Sequence, residues 1–111
     1  MEKINMKGVG HIEKLVGEFQ IWIPAILPYG KMKVRVYENR DGVFWGYTDV
    51  MVIRKFDNSP EGAAGHGSSV EEALEDTIKY FMELIETDYP ESKYPNGLSA
   101  SDIEYVEWSD F

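Results

Sequence analysis

The sequence predicts an α+β fold, in which an antiparallel or mixed β-sheet of four or so strands is covered on one face by one long helix. Three observations lead to this prediction: short segments in which apolar and polar residues alternate, turn residues between those segments, and one amphipathic stretch over about residues 70–87. Alternation with a period of two is typical of a half-buried strand, whereas apolar residues three and four apart form a helical stripe. Several strands, one helix and a late strand favour a sheet packed against a single helix layer.

Two alternating segments occur in the first forty residues. Residues 18–23 alternate and are ended by Pro24, and residues 31–38 alternate more regularly. Residues 39–42 follow as Asn-Arg-Asp-Gly. Because Asp-Gly pairs supply the positive-φ positions of tight hairpins, this sequence predicts a turn between antiparallel strands.

The segment after the turn predicts two more strands and a loop. Residues 43–47 and residues 50–56 are rich in aromatic and branched apolar residues, so each is predicted to be a strand. Residues 57–67 are rich in Gly, Asn, Ser and Pro, which predicts a loop.

The helix is the most strongly patterned element. Its apolar stripe consists of Val70, Leu74, Ile78, Phe81 and Ile85, widened by Ala73, Met82 and Leu84. Ser69 is the predicted N-cap, and Glu72, three residues later, completes a capping box. Pro90 follows the predicted helix end, and residues 102–108 alternate again, which predicts a final strand.

Length and composition indicate one domain over residues 1–111, with an apolar fraction of 43%. There is no cysteine, which excludes a disulfide framework and a thiolate site and fits a reducing compartment. No stretch approaches the roughly 20 apolar residues of a membrane-spanning helix, and the N-terminus has no apolar signal segment. We therefore expect a cytoplasmic protein that does not associate with membranes.

The net charge of −9 is unevenly distributed along the chain. Residues 1–56 carry nine Lys or Arg and six Asp or Glu, whereas residues 57–111 carry two and fourteen. Binding to phosphates needs Lys and Arg, so direct nucleic-acid binding is not expected. An acidic surface would speed the capture of a basic protein partner, although the same charge could serve solubility alone.

The polar residues form no pattern that predicts catalysis. The two histidines, His11 and His66, are far apart and lack the spacing of metal-ligand pairs. The carboxylates Glu72, Glu75 and Asp76 are predicted to lie on the solvated face of the helix, and no serine has a recognisable His-Asp partner. We expect a non-enzymatic protein without a cofactor or a metal ion.

The expected partner-contact residues are aromatic and acidic side chains. Tryptophan and tyrosine are enriched among the residues that dominate binding energy at protein interfaces. Strand spacing directs about half of the aromatic residues away from the core. The predicted partner-binding residues are Trp45, Tyr105 and Trp108, together with Glu104, Glu107 and Asp110.

The junction that opens the helix carries a recognisable motif. Its sequence is Gly67-Ser68-Ser69-Val70-Glu71-Glu72-Ala73. This junction, with the strand pattern over about residues 32–85, resembles the HicB-like antitoxin family, whose signature is Gly-x-Thr-x-Glu-Glu-Ala; Ser69 stands in place of Thr. The resemblance covers about half of the chain and implies a partial ribonuclease-H-like fold that binds and blocks a small basic ribonuclease toxin, often as a homo-oligomer. Residues 1–30 form an extension beyond the family pattern, and no DNA-binding segment follows the helix.

These observations lead to one main hypothesis and two alternatives. The main hypothesis is a HicB-like antitoxin-type module that binds and neutralises or regulates a basic partner protein. The first alternative is an immunity protein against a secreted toxin, which a neighbouring toxin gene would distinguish. The second is a small-molecule-binding or enzymatic domain that uses the loop of residues 62–69, with a pocket containing His66 and carboxylates.

Overall fold

The computed structural model describes residues 6–107 and residue 111. It is an α+β fold, as predicted. The elements, in chain order, are β1 (Glu13–Trp22), β2 (Lys31–Asn39), β3 (Phe44–Ile53), β4 (Pro60–Gly67), α1 (Val70–Asp88), a 3₁₀ helix (Ala100–Asp102) and β5 (Ile103–Tyr105).

The sheet is antiparallel, with the strand order β1-β2-β3-β4. The short β5 pairs with the second half of β3, beyond the part that pairs with β2. α1 packs on one face, chiefly against β4 and β3. The predicted arrangement of one helix covering one face of an antiparallel sheet is therefore confirmed.

The hydrophobic core lies between the sheet and α1. On β2 the alternation predicted from the sequence is observed: Met32, Val34 and Val36 are buried toward the helix, and Lys33 and Arg35 lie on the opposite face. The buried hydrophobic residues are Leu27, Met32, Val34, Val36, Val50, Val52, Ala63, Ala73, Phe81, Ile85, Tyr89, Leu98 and Ile103. The predicted hairpin turn is also present, with Gly42 at a positive φ of 79°.

The two strands predicted after this turn are in fact the single strand β3. The pairing of β3 with β4 shifts register between Tyr47 and Met51. Within this irregularity the hydroxyl of Thr48 accepts a hydrogen bond from Ala63 N–H at 3.0 Å and donates one to Val50 C=O at 2.9 Å. These bonds replace part of the regular ladder, so the strand continues where the sequence pattern suggests a break.

The loop predicted over residues 57–67 is wrong for most of its length, because Pro60–Gly67 forms β4. The small residues of this strand reflect close packing under α1. A Cβ atom at Gly65 would lie 2.8 Å from Thr77 Cα, and one at Gly67 would lie 2.9 Å from Ala73 N. Glycine therefore lets the helix backbone approach the sheet at these positions.

The same close approach rotates the buried stripe of α1 relative to the prediction. Its buried residues are Ala73, Thr77, Phe81 and Ile85. Val70, Leu74 and Ile78 are only partly buried, and Met82 is exposed. Small side chains occupy the first half of the stripe because glycines of β3 and β4 face them.

The ends of α1 agree closely with the predicted bounds. The Ser69 hydroxyl caps the helix by accepting a hydrogen bond from Glu72 N–H at 3.1 Å. The Glu72 carboxylate accepts from Ser68 N–H and from the Ser68 hydroxyl, which lowers the pKa of Glu72. The predicted box is thus shifted by one residue, since its return bond goes to Ser68 and not to the N-cap.

The strands at the two ends of the chain differ in length from the predictions. β1 begins at Glu13, five residues before the predicted start, and shifts register between Leu15 and Gly17. β5 covers only Ile103–Tyr105 of the predicted residues 102–108. None of the helices in the described part of the chain has the length and apolar character needed to span a bilayer.

Candidate protein-binding surface

The outer side of α1 is strongly acidic. The helix has seven Asp or Glu residues and one Lys, Lys79. Glu72 and Glu75 are exposed and Asp76 is partly buried, so the predicted solvated face is present. Spacings of three and four residues place these carboxylates along one flank of the helix, beside β4, where Asp76 accepts a hydrogen bond from His66 N–H.

A groove runs between α1 and the free side of β4, and we call it the acidic groove. It consists of two open depressions. One, of about 430 Å³, is lined by His66, Gly67, Glu72, Glu75, Asp76 and Lys79. The other, of about 310 Å³, is lined by Glu61, Gly62, Ala63, Ala64, Tyr80, Glu83, Leu84 and Thr87. The groove therefore carries five carboxylates against a single Lys.

The carboxylates of the acidic groove differ in their internal partners. Glu61 pairs with Arg54 at 2.8 Å, Glu72 bonds to Ser68, and Asp76 accepts from His66 N–H at 2.9 Å. The side-chain carboxylates of Glu75 and Glu83 make no hydrogen bond or ion pair within the described chain, although the backbone C=O of Glu83 accepts from the Thr87 hydroxyl. These two carboxylates are available to an external cation without the loss of an internal bond.

His66 closes one end of the acidic groove. Its ring lies 4.9 Å from the ring of Trp45, measured between centroids, and its Nδ1 lies 3.8 Å from Asp76 Oδ2. Trp45, a predicted contact residue, is half-buried beside His66 on the face of the sheet that α1 does not cover. Part of the indole is therefore committed to a contact inside the protein.

The other predicted contact residues lie at the far end of β3 from Trp45. Tyr105 pairs with Val50, is 40% exposed, and has its ring 6.1 Å from that of Tyr29. Glu104 and Glu107 are exposed nearby. Trp108 and Asp110 lie outside the described residues. The structure thus places Glu104, Tyr105 and Glu107 on one short segment, with the side chains of Glu104 and Tyr105 on opposite faces of β5, and separates all three from Trp45.

The uncovered face of the sheet carries a second, less acidic surface. Arg35 bonds to Glu18 at 2.9 Å, which lowers the pKa of Glu18, and its guanidinium lies 4.3 Å from the centroid of the Phe111 ring. The Tyr37 hydroxyl donates to Phe111 C=O at 3.1 Å. A depression of about 370 Å³ beside this contact is lined by Glu13, Tyr37, Tyr47, Thr48, Met51, Gly62, Ala63, Ala64, Val106 and Phe111.

The described residues hold no ready-made catalytic or metal-binding arrangement. No group of three or more His, Asp or Glu side chains among them is placed to hold a metal ion. The Ser68 hydroxyl donates to Glu72, and no hydroxyl is hydrogen-bonded to His66 in the same part of the chain. Ser68 and His66 therefore do not form a paired nucleophile and base in the described chain.

Sequence reasoning missed the residues that form the floor of the acidic groove. The residue composition around Gly62 and Ala64 predicts a loop, so it does not indicate a strand edge beside the helix. Tyr80, Glu83 and Thr87 are spaced three and four residues apart, so the sequence predicts that they share one side of the helix. That signal does not indicate which strand the flank faces.

Comparison with known proteins gives no relative from which a function could be transferred. No family model, no curated protein and no solved structure matches the chain.

Proposed function

We propose that the protein is a non-enzymatic acidic binding protein, a HicB-like antitoxin-type module that binds a basic partner protein and neutralises or regulates it. The observation that supports this proposal is the acidic groove, in which the carboxylates of Glu75 and Glu83 have no internal partner in the described chain. A small basic ribonuclease toxin has the charge that this groove would attract.

The electrostatics of the groove favour capture of a cationic protein. Exposed charges of one sign that line a concave surface raise the rate of encounter with an oppositely charged partner. Exposed single pairs contribute little affinity, typically below about 1 kcal/mol each. We therefore expect several carboxylates to act together and the affinity to fall with added salt.

The immunity-protein hypothesis uses the same surface and differs only in the identity of the toxin. The small-molecule hypothesis has one observation in its favour, since the depression of about 430 Å³ contains His66 with Glu72, Glu75 and Asp76. A ligand that raises the melting temperature, with the rise lost in His66→Ala, would support it. Failure of small-molecule libraries to shift the melting temperature would count against it.

We also expect the chain to form a homo-oligomer. Trp22 is 65% exposed and Tyr29 is 62% exposed, so aromatic area is available away from the acidic groove. Large exposed aromatic residues are typical of interfaces. Light scattering on the purified chain gives the mass in solution, and a monomer at all concentrations would contradict this expectation.

Affinity capture with the full chain, followed by titration with the purified partner, tests the proposed function. The chain is expected to retain a protein rich in Lys and Arg. The double variant Glu75→Lys/Glu83→Lys should lose this binding. The control variant Glu86→Lys/Glu91→Lys makes the same charge change at exposed positions beside a different depression, the one near Ala25 and Tyr94. An acidic partner, or equal loss in both variants, would contradict the proposal.

A further inference from the structure

The free side of β4 is an open strand edge. In the described part of the chain β4 pairs with β3 alone. The Ala63 N–H points toward β3, where it donates to the Thr48 hydroxyl, and the His66 N–H points the other way, toward Asp76. Because bonding direction alternates along an antiparallel edge strand, the N–H and C=O groups of Gly62 and Ala64 point toward the acidic groove.

This edge has few of the features that usually prevent strand pairing. Natural proteins protect edges with charged side chains, proline, bulges or short strands. β4 begins with Pro60 and carries one acidic side chain, Glu61, but residues 62–67 have no Lys and no Pro and are mostly Gly or Ala. The opposite edge, β1, has the register shift at Gly17 and the exposed charges of Glu13, Lys14 and Glu18. In the described chain the β4 edge is thus closed at both ends, by Pro60, which has no N–H, and by the bond from His66 N–H to Asp76, and it is open between them at Gly62 and Ala64.

The carboxylates beside β4 determine which kind of strand can bind at this edge. An added strand would lie in the depression of about 310 Å³, with Tyr80 and Glu83 on its α1 side, and would extend toward Glu75 in the neighbouring depression of about 430 Å³. A second copy of β4 would bring a second set of the same carboxylates into contact with the first, which is unfavourable. An extended segment with Lys or Arg at alternate positions would place its cations on these carboxylates.

We propose that an extended basic segment of the partner adds to β4 as a further strand. Its backbone hydrogen-bonds to Gly62 and Ala64, and alternate Lys or Arg side chains reach Glu75 and Glu83. Strand addition of this kind takes affinity from main-chain bonds and specificity from alternate side chains. The inference rests on the proposed function and adds the backbone conformation that the partner must adopt.

Two synthetic peptides of equal length and charge test the inference. In the first, Lys alternates with Thr, which favours extended strands. In the second, Pro replaces each Thr, so the charge is kept while the N–H groups at alternate positions are lost. The expected result is that the Lys-Thr peptide shifts the amide NMR signals of Gly62 and Ala64 and binds about tenfold more tightly than the Lys-Pro peptide.

A variant of the protein provides the complementary test. Ala64→Pro removes an N–H that faces the groove, and edge strands tolerate such a change. This variant should bind the Lys-Thr peptide more weakly than the parent chain does, and its affinity for the Lys-Pro peptide should be unchanged. Gly62→Pro serves the same purpose if Ala64→Pro does not fold. A Lys-Thr peptide with an N-methylated backbone tests the same hydrogen bonds from the side of the peptide, without any change to the protein.

The outcomes separate this inference from the proposed function. Equal binding of both peptides, with shifts confined to α1, would overturn strand addition and leave the acidic binding surface standing. Binding of neither peptide at low salt would contradict both. Preferential binding of the Lys-Thr peptide that survives Glu83→Lys would overturn the assignment of the basic side chains to the acidic groove.

Discussion

Arg54, directly after β3, donates a hydrogen bond of 2.7 Å from its Nε to Asp88 Oδ2 at the end of α1. The same guanidinium donates to Glu61 of β4 at 2.8 Å. One side chain therefore joins the last turn of the helix to the strand that borders the acidic groove. Both Arg54 and Asp88 are largely shielded from solvent, with side-chain exposures of 15% and 9%.

The Arg54–Asp88 pair predicts a loss of stability in acid. The bond from Arg54 lowers the pKa of Asp88 below the ordinary value of about 3.9. A carboxyl with a lowered folded-state pKa stabilises the protein above its unfolded-state pKa, and this contribution is lost as pH falls through the folded-state value. Urea midpoints of Asp88→Asn should therefore decline less between neutral pH and about pH 3 than those of the parent chain. Asp41→Asn, in an exposed turn, is the control; equal declines in all three proteins would contradict the prediction.

Asp49 is expected to give the free energy of unfolding the opposite dependence on pH. Its partial burial raises its pKa, although the carboxylate accepts from Lys33 N–H at 2.7 Å. A raised folded-state pKa means that ionisation costs stability once pH exceeds the ordinary value. Asn keeps an acceptor for Lys33 N–H and cannot ionise. Asp49→Asn should thus gain free energy of unfolding relative to the parent chain as pH rises from about 3 to 7. A relative loss over that interval would show that the buried carboxylate is stabilising.

The close packing of α1 on β4 predicts that any side chain at Gly65 destabilises the fold. A Cβ at this position would meet Asp76 C at 2.7 Å and Thr77 Cα at 2.8 Å, and backbone atoms cannot move aside cheaply. Gly65→Ala should lower the free energy of unfolding by roughly 1–3 kcal/mol, the usual cost of overpacking. Gly10→Ala is the matched control, because a Cβ there meets nothing within 4 Å. Denaturant titration measures both, and a tolerated Gly65→Ala would contradict the packing.

The elements that the sequence predicted best are those with regular local patterns. The alternation of β2, the Asp41-Gly42 turn and the cap at Ser69 each depend on neighbouring residues, so they are visible in the sequence. β4 is not predicted by its local sequence, because its glycines are required by the approach of Thr77 and Ala73 from another element. Strand propensity ranks glycine low, and no local signal reports such a contact.

The candidate site also combines features that depend on local sequence with features that depend on contacts between elements. Helical spacing was sufficient to place Glu72 and Glu75 on a solvated face. The acidic groove also needs the free edge of β4 beside them, and that edge follows from tertiary packing. The predicted contacts at Tyr105, Glu104 and Glu107 are exposed, but they belong to a different end of the sheet from the groove.

The salt dependence of binding between the full chain and its purified basic partner tests the account most directly. Calorimetric titration at low and high salt should show the dissociation constant rising with salt. Glu75→Lys/Glu83→Lys should remove both the binding and its salt dependence, while Glu86→Lys/Glu91→Lys keeps them. An affinity that salt and the groove variant leave unchanged would contradict the claim that this protein works through its acidic groove.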